Sequence, residues 1–347
     1  MRESKITIFE VAELAGVSIK TVSRVVNREP NVREQTRQRV NAAISELDYR
    51  PDRSARNLAS QRSHLIGLVY DDPAAYELPS SGYIIRLQQG ALLACRAAGH
   101  ELLIHPCDFR KRSTGRDLVT LIQDTKLSGL VLAAPLSNMP KIVRSIQSTN
   151  TPFVRIAPGK AVRNQPCVIT DDQASSAKMV EYLAELGHER IAFLKGDTVH
   201  AAVSNRYLGY LDGMEQAGLA IRQQLIKQGN NSFNSGIELA EQLLRRKNRP
   251  TAIFAANDDM AAGVIRVAKR LSLSIPDDLS VAGFDDIILA RQIDPMLTTV
   301  RQPLRRMAES AVTMLTGDHN GKRELFESIS ATLKIRESTG PAPTSVD

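Results

Sequence analysis

From residue 64 onward the chain alternates short apolar runs with amphipathic stretches, and this alternation limits the possible folds more than any other feature. The runs are "LIGLVY", "ELLIHPC", "GLVLAAP", "FVRIA", "RIAFLKG", "AIFAAN" and "SVAGFDD". Between them lie segments of helical period such as "IIRLQQGALLACRAAG" and "QASSAKMVEYLAELG". Strands separated by helices pair in parallel, and helices then cover both faces of the sheet. The body is therefore expected to be α/β, with ligands bound beyond the carboxyl ends of its strands.

The first fifth of the chain reads differently. Residues 1–63 carry 12 Lys and Arg against 8 Asp and Glu, so over half of the net charge of +7 sits there. That bias suits a nucleic-acid partner. Thr7 with Glu10 has capping-box spacing, and Ile8, Val11, Ala12 and Ala15 follow at helical spacing. Gly16 supplies a tight turn, Ser18 caps a second helix, and Val22, Val25 and Val26 give that helix an apolar side. A third helix is expected from near Asn31, with Glu34 at capping-box spacing, burying Val40, Ala43, Ile44 and Leu47.

Three short helices with a glycine turn between the first two form a helix-turn-helix unit, which lays the start of its second helix in the major groove. Here that start is Ser18, Ile19, Lys20, Thr21 and Arg24. Thr7, Ser18, Thr21 and Asn27 suit phosphate contacts, Arg24 reaches the groove, and Ile19 and Lys20 are the expected base readers. Tyr49, at the end of the head, is counted with the DNA contacts.

"TIFEVAELAGVSIKTVSRVVN", followed by "TRQRVNAAISELDYRPDRSARNLASQRSHLIGLV", resembles the head and hinge of the lactose-repressor (LacI) family of bacterial transcription regulators, densely over residues 6–69. Taken alone, "RPDRSARNLASQRS" is a polar linker with Pro51 at a plausible helix start and one lone leucine. The resemblance implies more: a short hinge helix formed on the operator, with Leu58 wedged into a minor-groove step beside its dimer mate. Arg53 and Arg56 would then meet phosphates, and Ala55 would allow close approach.

The body also resembles this family, through "ELGHERIAFLKG", "NRYLGYLDGM", "AANDDMAAG", "SVAGFDD" and "LTTVRQP". The resemblance implies two lobes with parallel sheets, like periplasmic binding proteins. The expected divisions are a head over 1–49, a hinge over 50–63, a body over 64–340 and a loose tail over 341–347. Lobe one is placed at about 64–160 and 292–322, and lobe two at about 161–291 and 323–340. No internal repeat is visible. The resemblance assigns effector contact to Arg206, Asn257, Phe284 (as a stacking ring), Asp285 and Gln302. "YDDPAAYELPSSGY" is longer than the resemblance leads one to expect, and it offers Tyr70, Asp72, Tyr76 and Tyr83 as a further wall. "VLAAPL" and Ala157 place alanine where polar residues can stand, which points away from lactose-like ligands.

Other classes fit poorly. Adjacent carboxylates (Asp71–Asp72, Asp171–Asp172, Asp258–Asp259, Asp285–Asp286) suggest a glycosidase, but neighbours on a strand face opposite ways and cannot flank one bond. No GxSxG, HExxH or phosphate-loop pattern occurs, and the six histidines lack ligand spacing, so no catalytic residue, metal or cofactor is expected. Cys95, Cys107 and Cys167 are three, without CxxC spacing, which suits reduced thiols. No secretory signal and no apolar run of membrane-spanning length is visible, so a cytoplasmic location is expected, on the nucleoid when bound to operator. The leucine-rich C-terminal segment that makes tetramers in the lactose repressor has no counterpart after Arg336, so a homodimer is expected. The leading expectation is a repressor of a carbohydrate-utilisation operon that binds pseudo-palindromic operator DNA under control of a sugar-like effector. The alternatives are a corepressor-dependent regulator answering to a nucleobase or sugar acid, and a sugar-transport binding protein.

Overall fold

Thr7 closes the amino end of the first helix, α1 (Ile8–Ala15): its backbone NH donates to Glu10 Oε2 at 2.9 Å, and its hydroxyl accepts from Phe9 N at 3.3 Å. At the other end Gly16 adopts φ 59°, a left-handed turn that side chains resist. In this computed structural model the described residues are 6–26, 31–49, 63–75, 81–159, 165–317 and 325–344. Helices α2 (Ile19–Val26) and α3 (Glu34–Glu46) complete the head. Val11, Val22, Val25, Val40 and Ala43 form its small core. Helix α3 begins three residues later than Asn31, because Arg33 is its cap residue and makes no side-chain cap bond. Contacts divide the chain into two units, Met1–Ser63 and His64–Asp347.

The second unit runs β1 (Leu65–Asp71), α4 (Gly82–Ala97), β2 (Glu101–Cys107), α5 (Thr114–Thr125), β3 (Gly129–Leu132), α6 (Pro140–Gln147), β4 (Phe153–Ile156) and β5 (Cys167–Thr170). It continues α7 (Asp172–Glu185), β6 (Ile191–Lys195), α8 (Ala201–Gln216), β7 (Ile226–Gln228), α9 (Phe233–Leu244), β8 (Ala252–Ala255), α10 (Asp258–Arg270) and β9 (Ser280–Asp285). It ends α11 (Leu289–Gln292), β10 (Thr298–Arg301), α12 (Leu304–Thr316), β11 (Phe326–Ile329) and β12 (Thr332–Lys334).

Two six-stranded sheets result, ordered β11-β5-β4-β3-β1-β2 and β12-β10-β9-β8-β6-β7. Read from the far end, each runs second, first, third, fourth, fifth strand of its lobe, and a late strand closes the edge. The fold is thus duplicated although the sequence shows no repeat. All pairings are parallel except β10 with β12. Alternate side chains of the first sheet feed opposite faces: Ile66, Leu68 and Tyr70 pack with Leu87 of α4 and Met307 of α12, while Val69, Leu130 and Leu132 meet α5 and α6.

Strand pairing corrects the expected lobe limits. β5 pairs with β4, so lobe one extends to about residue 171, not 160. β10 pairs with β9 and therefore belongs to lobe two, and β11 pairs with β5 and belongs to lobe one. The expectation placed all three on the wrong side because short strands carry no long-range label. The chain crosses between lobes near Asp171, Gln302 and Ser330. At the outer crossings, Asp171 Oδ1 accepts from Ala331 N at 2.7 Å.

Helices α7 and α8 pack closely where Gly209 faces α7, and a methyl there would run into the Gln173 carbonyl. Gly209→Ala should therefore destabilise the body by about 1–3 kcal/mol, read as a lower urea midpoint.

Candidate functional site

The carboxyl ends of several strands in each lobe deliver residues to one cleft between the lobes. Asp71 closes β1, Ala134 follows β3, and Ala157 follows β4. From the second lobe, His200 and Arg206 come from the start of α8, Asn231 follows β7, and Asn257 and Asp259 follow β8. Asp285 closes β9 and Gln302 follows β10. With Ser81, Tyr83 and Val203 among the remaining lining residues, these surround a cavity of about 210 Å³. That is smaller than the roughly 300–1,000 Å³ of sites for drug-sized molecules, so the cleft suits a small ligand.

Arg206 is the hub. It is 5% exposed; its Nε donates to Asp172 Oδ1 at 2.9 Å, and its Nη1 donates to the Ala256 carbonyl at 2.5 Å and lies 3.3 Å from Asp285 Oδ1. Its guanidinium also covers the Phe284 ring, 3.9 Å from the centroid. Burial works against its charge, but Asp285 and Asp172 outweigh burial and raise its pKa. Gln302 Nε2 donates to Asp285 Oδ1 at 2.5 Å. Asn257 caps α10 through Met260 N at 3.1 Å and donates to the Asn231 carbonyl at 2.8 Å.

Burial sets the titration of this site. It raises Asp285 to about 6, with Arg206 and Gln302 pulling the other way. It also raises Asp71 and Asp259, and it lowers His200, whose imidazole is then neutral at pH 7. The adjacent Asp286 is fully buried yet held below the usual carboxylate range by Arg291, Arg301 and Arg336, at 3.0, 2.5 and 2.5 Å. Backbone strain collects here too: Ala157, Asp285 and Asp286 take φ of 48°, 117° and 52°, conformations that non-glycine residues adopt at a cost.

Of the expected effector residues, Tyr83, Arg206, Asn257, Asp285 and Gln302 line the cleft. Three described ones do not. Tyr70 is 2% exposed within the first lobe's core, because its strand position sends it to the face under α4, and its hydroxyl accepts from Gln88 Nε2 at 3.0 Å. Phe284 is fully buried behind Arg206, which occupies the ring face intended for a ligand. Asp72 lies one residue beyond the wall, and its neighbour Asp71 takes the place instead. Tyr76 lies outside the described residues. Sequence reasoning missed Asp71, His200, Asn231 and Asp259. Each sits within a few residues of a strand's carboxyl end or in the first turn of the following helix, and that position was the available signal.

In the head, Ser18, Ile19, Lys20 and Arg24 are exposed, Ile19 to 40%. Ser18 Oγ accepts from Thr21 N at 3.2 Å, so the hydroxyl fixes the start of the recognition helix. Thr7 is engaged in its capping box, and Tyr49 packs half-buried against the head's core. Asn27, Arg53, Ala55, Arg56 and Leu58 lie outside the described residues. Among the described residues no helix is long and apolar enough to cross a membrane, and no His, Cys, Asp and Glu group could hold a metal ion.

A helix-turn-helix head joined to a two-lobed binding body defines a ligand-controlled DNA-binding regulator, and comparison with known proteins places it. The family model "Bacterial regulatory proteins, lacI family" matches residues 7–52, and the "Periplasmic binding protein-like domain" model matches 180–339. The HTH-type transcriptional regulator DegA of Bacillus subtilis (strain 168) is 33% identical over 344 residues, covering 98% of this chain and 100% of DegA. The crystal structure of the lac repressor dimer bound to operator and the anti-inducer ONPF superposes with a TM-score of 0.78 at 27% identity, covering 97% of this chain and 100% of that one. The structure of the transcriptional regulator CelR–cellobiose complex gives 0.72 at 27% identity, over 96% and 99%. The chain belongs to the lacI family of bacterial regulatory proteins. It is a DNA-binding transcription regulator with an effector-binding body.

Removing the hub should cost more than ligand contact. Arg206→Met strands Asp172 as a buried, unpaired carboxylate, so the body should lose about 3–5 kcal/mol in chemical denaturation.

Proposed function

We propose that this chain is a homodimeric repressor whose grip on a pseudo-palindromic operator is set by a small, neutral, polyhydroxylated effector held between the lobes. The charge balance of the cleft carries this reading. Asp71, Asp259 and Asp285 face it, while its cation, Arg206, is already paired with Asp172 and Asp285. Carboxylates without free cations accept hydrogen bonds from hydroxyls and repel anions. A sugar acid is therefore disfavoured. A nucleobase finds the Tyr83 phenol and the His200 imidazole on the walls among the described residues, with the Phe284 face covered, but meets no free cation, whereas the three carboxylates match the several hydroxyls of a sugar. A relative solved with cellobiose and another solved as a dimer on operator support the sugar class and the dimer.

Catalysis is not part of this reading. The adjacent carboxylates divide their duties: Asp171 holds Ala331 N while Asp172 holds Arg206, and Asp285 faces the cleft while Asp286 clamps three arginines. Operator contact falls to Ser18, Ile19, Lys20 and Arg24, with the phosphate, hinge and minor-groove roles implied by the family resemblance for Thr7, Thr21, Asn27, Tyr49, Arg53, Ala55, Arg56 and Leu58. Such a regulator works in the cytoplasm, where the operator is.

A thermal-shift screen against neutral sugars, sugar acids and nucleobases tests the effector class, since a bound ligand raises the melting temperature. A neutral sugar should give the shift; a shift from acids or bases alone would overturn the reading. With that sugar in hand, Asp285→Asn should lose the response while operator binding persists. Affinity for the sugar should fall as pH drops through about 6, because protonation converts the accepting carboxylate to a neutral acid. In Asp285→Asn that pH dependence should flatten, as read by calorimetric titration. Operator affinity in gel shift should fall steeply with salt, and Lys20→Ala should change which half-site bases are preferred.

A further inference from the structure

At the rim of the first lobe, a groove of about 1040 Å³ is lined by Arg110, Lys111, Arg112, Arg116, Lys141 and Arg144, with no acidic side chain on its wall. The first four come from the β2–α5 connection and the start of α5; the last two come from α6. Lys111, Arg112, Arg116, Lys141 and Arg144 make no ion pair among the described residues, and Arg110 reaches Asp108 only at 3.9 Å. Six exposed cations around one concavity, with no carboxylate among them, give it a positive potential that favours an anion.

Backbone geometry adds to the charge. The first turns of α5 and α6 both open into the groove, and neither cap residue, Ser113 or Met139, makes a side-chain cap bond. Each helix turns the positive end of its dipole to the groove, although Thr114, Arg116 and Asp117 already donate to the Lys111 and Ser113 carbonyls and Pro140 has no NH. Between them stands Asn138. Its Oδ1 accepts from Gly159 N, which fixes the amide, and its buried Nδ2 has no hydrogen-bond partner. The same Arg144 and Asn138 line an adjoining cavity that contains Arg155, 5% exposed. Arg155 donates only to the Ser137 carbonyl and the Gln165 amide oxygen, and has no carboxylate partner among the described residues. A buried guanidinium without a counter-ion marks this region as short of negative charge.

We infer that this groove is a second binding site, separate from the effector cleft, for a small molecule bearing two or more phosphate groups. Four arginines offer forked donors that match phosphate oxygens, and two lysines add point charges. The acid-lined cleft would repel the same molecule, so one chain can respond to a neutral ligand and a phosphorylated one through different walls. The inference stands apart from the identity of the cleft effector.

Calorimetric titration of the full chain with sodium tripolyphosphate, at about 150 mM salt, tests this. One binding event per chain is expected. The triple variant Arg112→Ala, Arg116→Ala, Lys141→Ala alters exposed side chains and should fold normally by melting temperature. It should bind at least about tenfold more weakly, roughly 1.4 kcal/mol. A control variant, Lys20→Ala with Arg24→Ala, should bind tripolyphosphate unchanged, which excludes the DNA-binding head as the site. ATP should bind with the same dependence on the groove. Wild-type affinity in the triple variant would overturn the assignment, as would binding of ATP with tripolyphosphate inert. Displacement of tripolyphosphate by non-operator duplex DNA in the control variant would make the groove a nucleic-acid surface and overturn it equally.

Discussion

A buried guanidinium fixes the geometry of this body. Arg206 reaches from α8 to Asp172 at the first lobe crossing, to the end of β8 and to Asp285 at the end of β9, and its guanidinium carbon sits over the Phe284 ring. Each contact offsets part of the cost of taking a charge out of water, and together they bind four elements of lobe two into one unit. The cleft's polarity follows from this, because Asp285 and Gln302 are oriented by the same network. The Arg206 arrangement is thus both scaffold and cleft wall.

The duplicated sheets explain why one cleft collects residues so distant in sequence. Parallel strands point their carboxyl ends the same way, so two lobes set face to face bring both sets of ends together. A ligand touching Asp71 and Tyr83 on one side and Asp285 on the other gains contacts that depend on how the lobes sit, and its binding free energy shifts that equilibrium. Three crossings carry any such movement. Two are tied by Asp171 to Ala331, and the third begins at Gln302, whose amide is bonded to Asp285. The cleft wall and the third crossing therefore share a side chain.

The α/β class, the head's three helices and most long strands were legible in the sequence, because apolar periodicity and caps are local signals. The capping box at Thr7 and the turn at Gly16 formed as their spacing implied. Arg206, Asn257, Asp285 and Gln302 were legible through family motifs. What local pattern could not decide was direction and partnership. Tyr70 and Asp71 are neighbours, yet pleating sends the first into the core and leaves the second at the strand end facing the cleft. Phe284 looked like a stacking ring until the fold laid Arg206 across it. The lobe limits failed for a related reason: β5, β10 and β11 are four residues each, and only their pairing says which sheet they join.

Ala134 and Ala157 give the first lobe's side of the cleft two bare methyl groups opposite a heavily bonded second lobe. Ala157 holds a left-handed backbone that glycine, asparagine or aspartate would accept more easily. The position is thus already shaped for a polar side chain that this sequence lacks. New specificity could arise there by single substitutions, without disturbing the Arg206 network. The buried ion-pair network thus lies on one wall of the cleft, and the wall open to change lies on the other.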